Sequence, residues 1–237
     1  MTAAAADITV IIPAYNEQEN LIPAVTSIHD VLQASARSYE IVIVNDGSSD
    51  ATVVQSDELA AGYPQIRVIH KENGGIGSAF RAGLSAAMGR YTMLWPADML
   101  ASADGLSPYL DALGTADVIV GCRRKREGYN ILMQFNSWLY AHLVALLFRL
   151  RLRDVNWICL YATDRLRAVA PTQDGIVMFC EILVGIRDAG GTLLQVDVDM
   201  QPRLHGQPSA GRFTVMLRTL IELLAFGWHW RRSQPRT

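Results

Sequence analysis

Short apolar runs alternate along this chain with longer segments whose apolar residues recur every three or four positions. Four runs have the length and the β-branched composition of buried strands: residues 8–12, 39–44, 66–70 and 91–95. Residues 16–32 and 76–88 carry apolar side chains at helical spacing and predict helices between these strands. Strands that alternate with helices of crossover length predict a mostly parallel, Rossmann-like sheet in an α/β sandwich with helices on both faces.

The second half of the chain has a less regular pattern. It predicts a strand at 117–120, a long apolar helix at 131–152, a strand at 193–198 and a final helix at 213–230. No internal repeat and no low-complexity linker interrupts this pattern. We therefore expect one αβα domain over residues 1–212, followed by an amphipathic helix and a basic tail over residues 213–237.

A polar motif follows each of the four strands predicted in the first half: PAYNE, NDGSSD, NGGIG and PADM. The carboxyl ends of parallel strands lie along one edge of a sheet, where α/β proteins bind ligands. Each motif also has a purely structural explanation, because Asn16 or Asp50 can cap a helix and the glycines permit a close helix–strand crossing. The glycine-rich stretch has neither the ending of a phosphate loop nor the spacing of a dinucleotide-binding turn. Four motifs in register nevertheless predict a binding site.

Composition and charge exclude several classes of protein. Half of the residues are hydrophobic and 19% are charged, as in globular proteins, and a net charge of -2 argues against a nucleic-acid binder. Three scattered cysteines, Cys122, Cys159 and Cys180, predict neither a disulfide framework nor a zinc site, and they fit a reducing cytoplasmic compartment. The first residues lack the basic region of a signal peptide, and no apolar stretch is long enough to predict a membrane span.

In their order and spacing, the motifs PAYNE, VNDGSSDAT, NGGIGSAFRAGL and PADM resemble those of the family 2 glycosyltransferases with the GT-A fold, over about residues 7–215. The second half is most similar to the polyprenyl-phosphate glycosyltransferases, which include the dolichyl-phosphate mannose synthases. Four stretches carry this narrower resemblance: GCRRKREG (121–128), RDVNWICLYATDRL (153–166), FCEILVGIRDAG (179–190) and QPRLHGQPSAGRF (201–213). The resemblance implies transfer of a sugar, with inversion, from a UDP- or GDP-linked donor to a polyprenyl phosphate or another glycan acceptor.

The resemblance also implies roles for particular residues. Asp98 matches the second acid of the family's DxD motif and would hold Mg²⁺ or Mn²⁺ on the donor diphosphate. The candidate nucleotide-sugar-binding residues are Pro13, Tyr15, Glu17, Asp46, Gly75, Arg81 and Asp98. The candidate acceptor-binding residues are Arg123, Arg124, Arg203 and Ser209, and the candidate catalytic residues are Asp98, Arg124 and Arg203.

Some features depart from the family pattern. Pro96 replaces the first acid of DxD, and Leu100 is apolar where related enzymes often have an oxygen ligand. His205 is a candidate replacement ligand, although a lone loop histidine is usually solvated. A phosphate acceptor needs no general base, and Asp164 fits a helix cap better than a base. Two alternatives stay open: a family 2 enzyme that acts on a saccharide or other hydroxyl acceptor, and a catalytically silent nucleotide-sugar-binding module.

The helices predicted at 131–152 and 213–230 each have two interpretations. Both can pack against the sheet or in a homodimer contact, and both can lie on a membrane surface without crossing it. Trp228, Trp230 and the arginines that follow resemble an interfacial anchor, and Arg218 and Glu222 are spaced to form an ion pair. We expect a cytoplasmic protein that attaches peripherally to the inner face of the cytoplasmic membrane.

Overall fold

The computed structural model of the protein describes residues 6–99, 102–124, 131–199 and 213–233. Its strands are β1 (Ile8–Ala14), β2 (Tyr39–Asp46), β3 (Ile66–Lys71), β4 (Tyr91–Leu94), β5 (Val118–Arg123), β6 (Cys159–Ala162) and β7 (Leu193–Val198). Its helices are α1 (Leu21–Ala34), α2 (Thr52–Gly62), α3 (Gly75–Ala86), α4 (Ala103–Asp111), α5 (Ile131–Phe148), α6 (Thr163–Val169), α7 (Val177–Asp188) and α8 (Phe213–Ser233).

These strands form one sheet in the order β3-β2-β1-β4-β6-β5-β7. Strand β1 pairs in parallel with β2 and β4, β2 with β3, and β5 with β7, whereas β6 runs antiparallel between β4 and β5. The prediction of a mostly parallel sheet in an α/β fold is therefore confirmed. Ile8 is level with both Tyr39 and Tyr91, so the carboxyl ends of β1, β2 and β4 reach the same edge.

Alternate residues of the central strands supply a hydrophobic cluster on each face of the sheet. Val10 and Ile12 of β1 pack with buried residues of α1, α2 and α4. Ile11 points to the opposite face and packs with buried residues of α3, α5 and α7. Because helices cover both faces, the central strands are apolar at consecutive positions. This explains why the hydrophobic pattern of the sequence predicts them clearly.

Helix α3 lies directly on β1. A Cβ atom added to Gly83 would lie 2.5 Å from Cγ2 of Ile11, closer than such atoms approach in folded proteins. The explanation of this glycine as a close helix–strand crossing is therefore correct. It also fixes the distance between the start of α3 and the carboxyl edge of the sheet.

Strand β6 and helix α4 are not predicted by the hydrophobic pattern. Strand β6 has only four residues, too few to show a period, and it enters the sheet antiparallel. Helix α4 contains Pro108 and begins after Ser102, whose hydroxyl accepts a hydrogen bond from the Gly105 N–H group. A short strand and a proline-containing helix both carry weak periodic signals.

Two predicted helix caps are wrong. Helix α1 begins at Leu21 rather than near Asn16, and Asn16 has a φ of 54°, in the left-handed region that asparagine tolerates. Asp164 lies in the first turn of α6 and does not cap it, because the N-cap position is Ala162, and the hydroxyl of the adjacent Thr163 donates to the Gly89 carbonyl at 2.6 Å. Asn16 and Thr163 each form a hydrogen bond to a segment that is distant in sequence instead of capping a helix. Asp50 does accept from the Thr52 N–H group at the start of α2, as a capping residue would.

Helices α5 and α8 pack together at their carboxyl ends. The ring of Phe148 lies 5.1 Å from that of Phe226 and 5.2 Å from that of Trp230, between centroids. Arg218 and Glu222 form the predicted ion pair on the surface of α8. No helix in the described residues is long and apolar enough to cross a membrane. The division of the chain before residue 213 stays a prediction.

Candidate active site at the carboxyl edge of the sheet

The carboxyl ends of β1 to β5 and β7 lie along one edge of the sheet, together with the amino end of the antiparallel β6. This arrangement brings the loops of the predicted motifs to one side of the molecule. It also adds residues 154–158, which precede β6, because that strand enters the sheet from the same edge.

The loops that follow β1 and β2 are joined by hydrogen bonds. Asn16 accepts from the Ser49 N–H group at 2.9 Å, and its own N–H group donates to the Ser48 hydroxyl. The Glu17 N–H group donates to the Thr52 hydroxyl at 2.8 Å. Tyr15, between Ala14 and these contacts, has half of its surface exposed to solvent. Tyr15 and Glu17 therefore lie in a loop that these hydrogen bonds hold in place, just after Pro13 near the end of β1, and the loop leaves an aromatic ring available for a ligand.

Asp46 is buried at the end of β2 and organises the glycine-rich turn. Its carboxylate accepts from the backbone N–H groups of Gly74 and Gly75, the latter at 2.7 Å. The Lys71 ammonium group lies 2.6 Å from the same carboxylate. Gly75 has a φ of 78°, which favours glycine, so the sequence permits this turn.

Arg81 is nearly two turns into α3 and points towards the loop between α6 and α7. Its guanidinium lies 2.8 Å from the Asp174 carboxylate and donates to the Gln173 carbonyl. A Cβ on Gly77 would lie 2.7 Å from the same carboxylate, so α3 and this loop are in close contact. The role of Arg81 near a diphosphate stays a prediction, and in this structure its charge is paired with Asp174.

Asp98 lies in a turn directly after β4. The turn is closed by the Met99 N–H group, which donates to the Pro96 carbonyl, and by the Trp95 indole, which donates to the Met99 carbonyl at 3.0 Å. Trp95 itself is buried and bonded to β1 through its backbone N–H group. The half-buried Asp98 is therefore held at the carboxyl edge by a short, rigid turn.

Arg123, at the end of β5, forms a buried ion pair that the sequence does not reveal. Its Nε and Nη2 atoms lie 2.6 and 2.9 Å from the two oxygens of Asp154, and both side chains are almost fully buried. The guanidinium also stacks on Trp157, 4.5 Å from the ring centroid. The bidentate pair fixes the plane of the guanidinium, so Arg123 is a rigid cation at the edge of the sheet.

Of the other predicted acceptor-binding residues, only Arg124 lies within the described residues. Arg124 is exposed and lies 3.5 Å from the Asp199 carboxylate, beyond the end of β7. Arg203 and Ser209, together with the candidate ligand His205, lie outside the described residues, and so does Leu100. Their roles stay predictions.

A cavity of about 320 Å³ opens beside the Asp98 turn. Pro96 and Met99 of that turn line it together with Arg123 and Ile76, and its far walls come from the amino-terminal halves of α5 and α8. Most lining residues are apolar. Within the described residues, the buried hydroxyl of Tyr140 and the buried Oδ1 of Asn156 have no hydrogen-bond partner, and both residues line this cavity. The cavity therefore suits an amphiphilic ligand.

Burial keeps two ionisable groups of this cavity, the Cys159 thiol and the Tyr140 hydroxyl, neutral. Desolvation raises the pKa of the Cys159 thiol to about 12 and raises the pKa of the Tyr140 hydroxyl well above its ordinary value. Neither group is an anion at neutral pH. The cavity therefore offers no thiolate or phenolate nucleophile from these two residues.

Comparison with known proteins identifies the family. Residues 9–169 match the model of the family described as glycosyl transferase family 2, which is more than half of the chain.

The chain belongs to glycosyl transferase family 2.

Two relatives of this glycosyl transferase carry specific names. A dolichol-phosphate mannosyltransferase of Pyrococcus furiosus is 33% identical over 123 residues, which are 51% of this chain and 34% of that protein. An undecaprenyl-phosphate mannosyltransferase of Micrococcus luteus is 30% identical over 168 residues, or 67% of this chain and 68% of that protein. This chain thus spans about a third of the first protein's length and two thirds of the second's.

Solved structures confirm the predicted GT-A fold. Glucosyl-3-phosphoglycerate synthase of Mycobacterium tuberculosis, solved with Mn²⁺, UDP and glucosyl-3-phosphoglycerate, superposes with a TM-score of 0.72. The superposition covers 94% of this chain and 80% of that one at 18% sequence identity. At this identity the likeness concerns the fold.

Several residues of this candidate site are missing from the sequence-based prediction. They are Lys71, Asp154, Trp157 and Asp174. Lys71 could have been found, because it is the last residue of β3 and a lysine at a strand end is a natural partner for Asp46. The other three depend on β6 and on the loop before α7, whose positions have no periodic signal.

Proposed function

We propose that this family 2 glycosyl transferase moves a sugar from a nucleotide-sugar donor to a polyprenyl phosphate. The observation that carries the proposal is the mainly apolar cavity between the Asp98 turn, Arg123 and the helices α5 and α8. A polyprenyl phosphate combines an apolar chain with an anionic head, and both parts find complementary surroundings here. The names of the two mannosyltransferase relatives support this acceptor class.

The donor would bind where the first three loops meet. Tyr15 offers an exposed ring for the base or ribose of a UDP- or GDP-linked sugar, beside Pro13 and Glu17. Asp46 and Gly75 shape the turn at the start of α3, and the donor would lie against this turn, whose Gly74 and Gly75 N–H groups already donate to the Asp46 carboxylate.

A divalent metal fits this site only if the donor supplies most of its ligands. No group of three or more metal-ligating acids, histidines or cysteines occurs in the portion of the chain that the structure describes. Mg²⁺ in phosphate sites commonly binds one or two carboxylates plus substrate oxygens, and Asp98 would provide the protein ligand. Bound Mg²⁺ or Mn²⁺ would neutralise charge on the leaving diphosphate.

The residues of this chain would orient the two substrates for one displacement. An oxygen of the acceptor phosphate forms a bond to the anomeric carbon of the sugar while the bond from that carbon to the donor diphosphate breaks, which inverts the configuration. The acceptor is already an anion, so no side chain needs to remove a proton. Arg123 and Arg124 would hold the acceptor phosphate, with Arg203 and Ser209 as further predicted contacts.

An acceptor that lies in a membrane implies where in the cell the protein acts. We infer a cytoplasmic protein bound peripherally at the inner face of the cytoplasmic membrane, where a polyprenyl phosphate presents its head group. A homodimer contact through α8 is the competing use of the same helix.

A second candidate function is a silent nucleotide-sugar-binding module. It is favoured by Pro96, which stands where the family usually has an acid, and by the absence of a group of three metal-ligating side chains among the described residues. A silent module would bind donor and transfer nothing.

Transfer assays separate these functions. The protein is incubated with UDP- and GDP-linked sugars, a polyprenyl phosphate in detergent and Mn²⁺, and the lipid product is detected by mass spectrometry. We expect a polyprenyl phosphosugar and loss of at least about 100-fold in rate for Asp98→Ala. Asp111→Ala, an exposed aspartate at the end of α4, is the matched control. Donor binding without any product supports the silent module, and product only with a saccharide acceptor supports the hydroxyl-acceptor enzyme.

A further inference from the structure

Helix α8 has a fixed inner face. Leu223 is fully buried, and Phe226 and Trp230 pack on Phe148 of α5. The Trp230 indole also donates to the Asp188 carboxylate at 2.7 Å, which joins the end of α8 to the end of α7. These contacts set the rotation of the helix about its axis, so its opposite face points away from the protein.

That outer face carries a row of large apolar side chains. Leu217, Ile221, Leu224 and Trp228 follow one another at spacings of four, three and four residues and are 45% to 61% exposed. This spacing aligns them along one side of the helix. We call these four residues the α8 stripe. A continuous exposed apolar row of this kind marks a surface that binds something.

The α8 stripe is continuous with the acceptor cavity. Leu217 belongs to the stripe and also lines the cavity, beside Met216 and Leu220. On the α5 side, the stacked and exposed rings of Phe135 and Trp138 flank the lining residues Asn136 and Ser137. Exposed apolar side chains of both helices therefore lie directly beside the lining of the cavity.

The charges around the stripe are mostly positive. Helix α8 contains three arginines and one glutamate, whereas the whole chain has a net charge of -2. Arg232 lies over the Trp228 ring, 5.0 Å from its centroid, and Arg218 flanks the other end of the stripe. Arg149 and Arg151, both exposed, follow Phe148 at the end of α5 that contacts α8.

This charge pattern favours a lipid surface over a second copy of the chain as the partner of the α8 stripe. In a homodimer through the α8 stripe, the only acid that each α8 helix offers to the partner's arginines is Glu222, which already pairs with Arg218. Anionic lipid head groups would neutralise the same arginines while the stripe enters the acyl region.

We propose that the α8 stripe and its flanking arginines dock on an anionic lipid bilayer, with α8 lying in the plane of the membrane and the cavity opening towards the lipid. The proposal rests on the proposed function, because it explains how a lipid acceptor reaches the cavity. It assigns the membrane contact to the outer face of α8 and to the exposed arginines where the carboxyl ends of α5 and α8 meet.

Vesicle sedimentation with the full chain tests the docking surface. We expect binding to vesicles of phosphatidylcholine with about 30% phosphatidylglycerol, weaker binding to phosphatidylcholine alone, and loss of binding at high salt. The double variant Ile221→Gln, Leu224→Gln should lower the partition coefficient roughly tenfold. Val54→Gln on α2 replaces a side chain as exposed as Ile221, 59% in each case, and should change nothing.

Circular dichroism and thermal melting of the double variant confirm that it folds. Equal vesicle binding by the double variant and the unsubstituted protein would overturn the proposal. So would a lipid-free dimer, seen by light scattering, that the double variant dissociates, because the stripe would then bind a second copy.

An activity comparison separates this proposal from the proposed function. The double variant should transfer sugar normally to a short, water-soluble prenyl phosphate and at least about tenfold more slowly to a long polyprenyl phosphate in vesicles. Equal loss with both acceptors contradicts a docking role. If the unsubstituted protein uses neither acceptor, the proposed function fails while the vesicle result still decides the docking surface.

Discussion

The carboxylate of Asp46 accepts a hydrogen bond of 2.7 Å from the backbone N–H group of Gly75, and this contact joins the end of β2 to the start of α3. The same carboxylate pairs with Lys71, so one buried acid fixes the turn that precedes the helix. Asp46 thus has a structural role in addition to its predicted place in the nucleotide site.

We expect Asp46→Asn to destabilise the protein by about 1–3 kcal/mol, because the amide loses the charge that Lys71 and the Gly74 and Gly75 N–H groups stabilise. Urea unfolding measures this change, and calorimetric titration with UDP and GDP measures donor affinity. Asp57→Asn, which removes an exposed carboxylate beside His70, is the control. If donor affinity falls while stability is unchanged, Asp46 acts on the nucleotide directly and not through the turn.

Gly83→Ala should destabilise the fold by about 1–3 kcal/mol, because the new methyl group would overlap Ile11 at 2.5 Å. Gly62→Ala is the matched control, since a Cβ at that helical position meets nothing within 4 Å. Thermal melting of both variants gives the comparison. Similar melting temperatures for the two variants would show that α3 can move away from β1.

The buried pair of Arg123 and Asp154 predicts a large cost for removing one partner. Asp154→Ala should destabilise the protein by about 3–5 kcal/mol, because it leaves the nearly buried guanidinium without its counter-charge. Asp197→Ala breaks an exposed pair with Arg153 and should cost less than about 1 kcal/mol. A double-mutant cycle with Arg123→Met measures the coupling, and additive effects would argue against a working pair.

Tyr140→Phe removes a buried hydroxyl that has no partner among the described residues. We expect no loss of stability, since nothing in the protein satisfies this group. The rate of transfer to a polyprenyl phosphate should fall severalfold, because Tyr140 lines the proposed acceptor cavity. Loss of stability with an unchanged rate would place the hydroxyl outside the acceptor site.

Asp117 gives a prediction about pH. Hydrogen bonds from the Thr192 N–H and hydroxyl groups, together with Arg165, lower the pKa of this carboxyl below its usual 3.8. A lowered folded-state pKa means that the charged form stabilises the fold above the unfolded pKa, and that this stabilisation is lost as the pH falls through the folded pKa. Asp117→Asn should therefore cost about 1 kcal/mol at pH 7 and much less near pH 3. Urea unfolding at both pH values checks this, with Asp111→Asn as control.

The sequence by itself determined the parallel part of the fold. Strands β1 and β2 are covered by helices on both faces, so their apolar runs are continuous and are easily recognised in the sequence. The positions of Asp46 and Asp98 followed from the same pattern, because residues directly after parallel strands must lie at one edge. The close crossing at Gly83 was also predicted from the sequence, because a glycine in a helix allows the helix to lie directly on a strand.

Only the tertiary structure determined which residues meet on the predicted acceptor side of the site. Strand β6 is too short to be periodic, and its antiparallel entry brings Asp154 and Trp157 beside Arg123 from far along the chain. The cavity exists because α5 and α8 meet at Phe148 and Phe226 while their amino-terminal halves line an open space. Local propensity cannot specify such an arrangement, because it depends on contacts between segments that are distant in sequence. The outward direction of the α8 stripe was decided in the same way, by the burial of Leu223 and the anchoring of Trp230 on the opposite face.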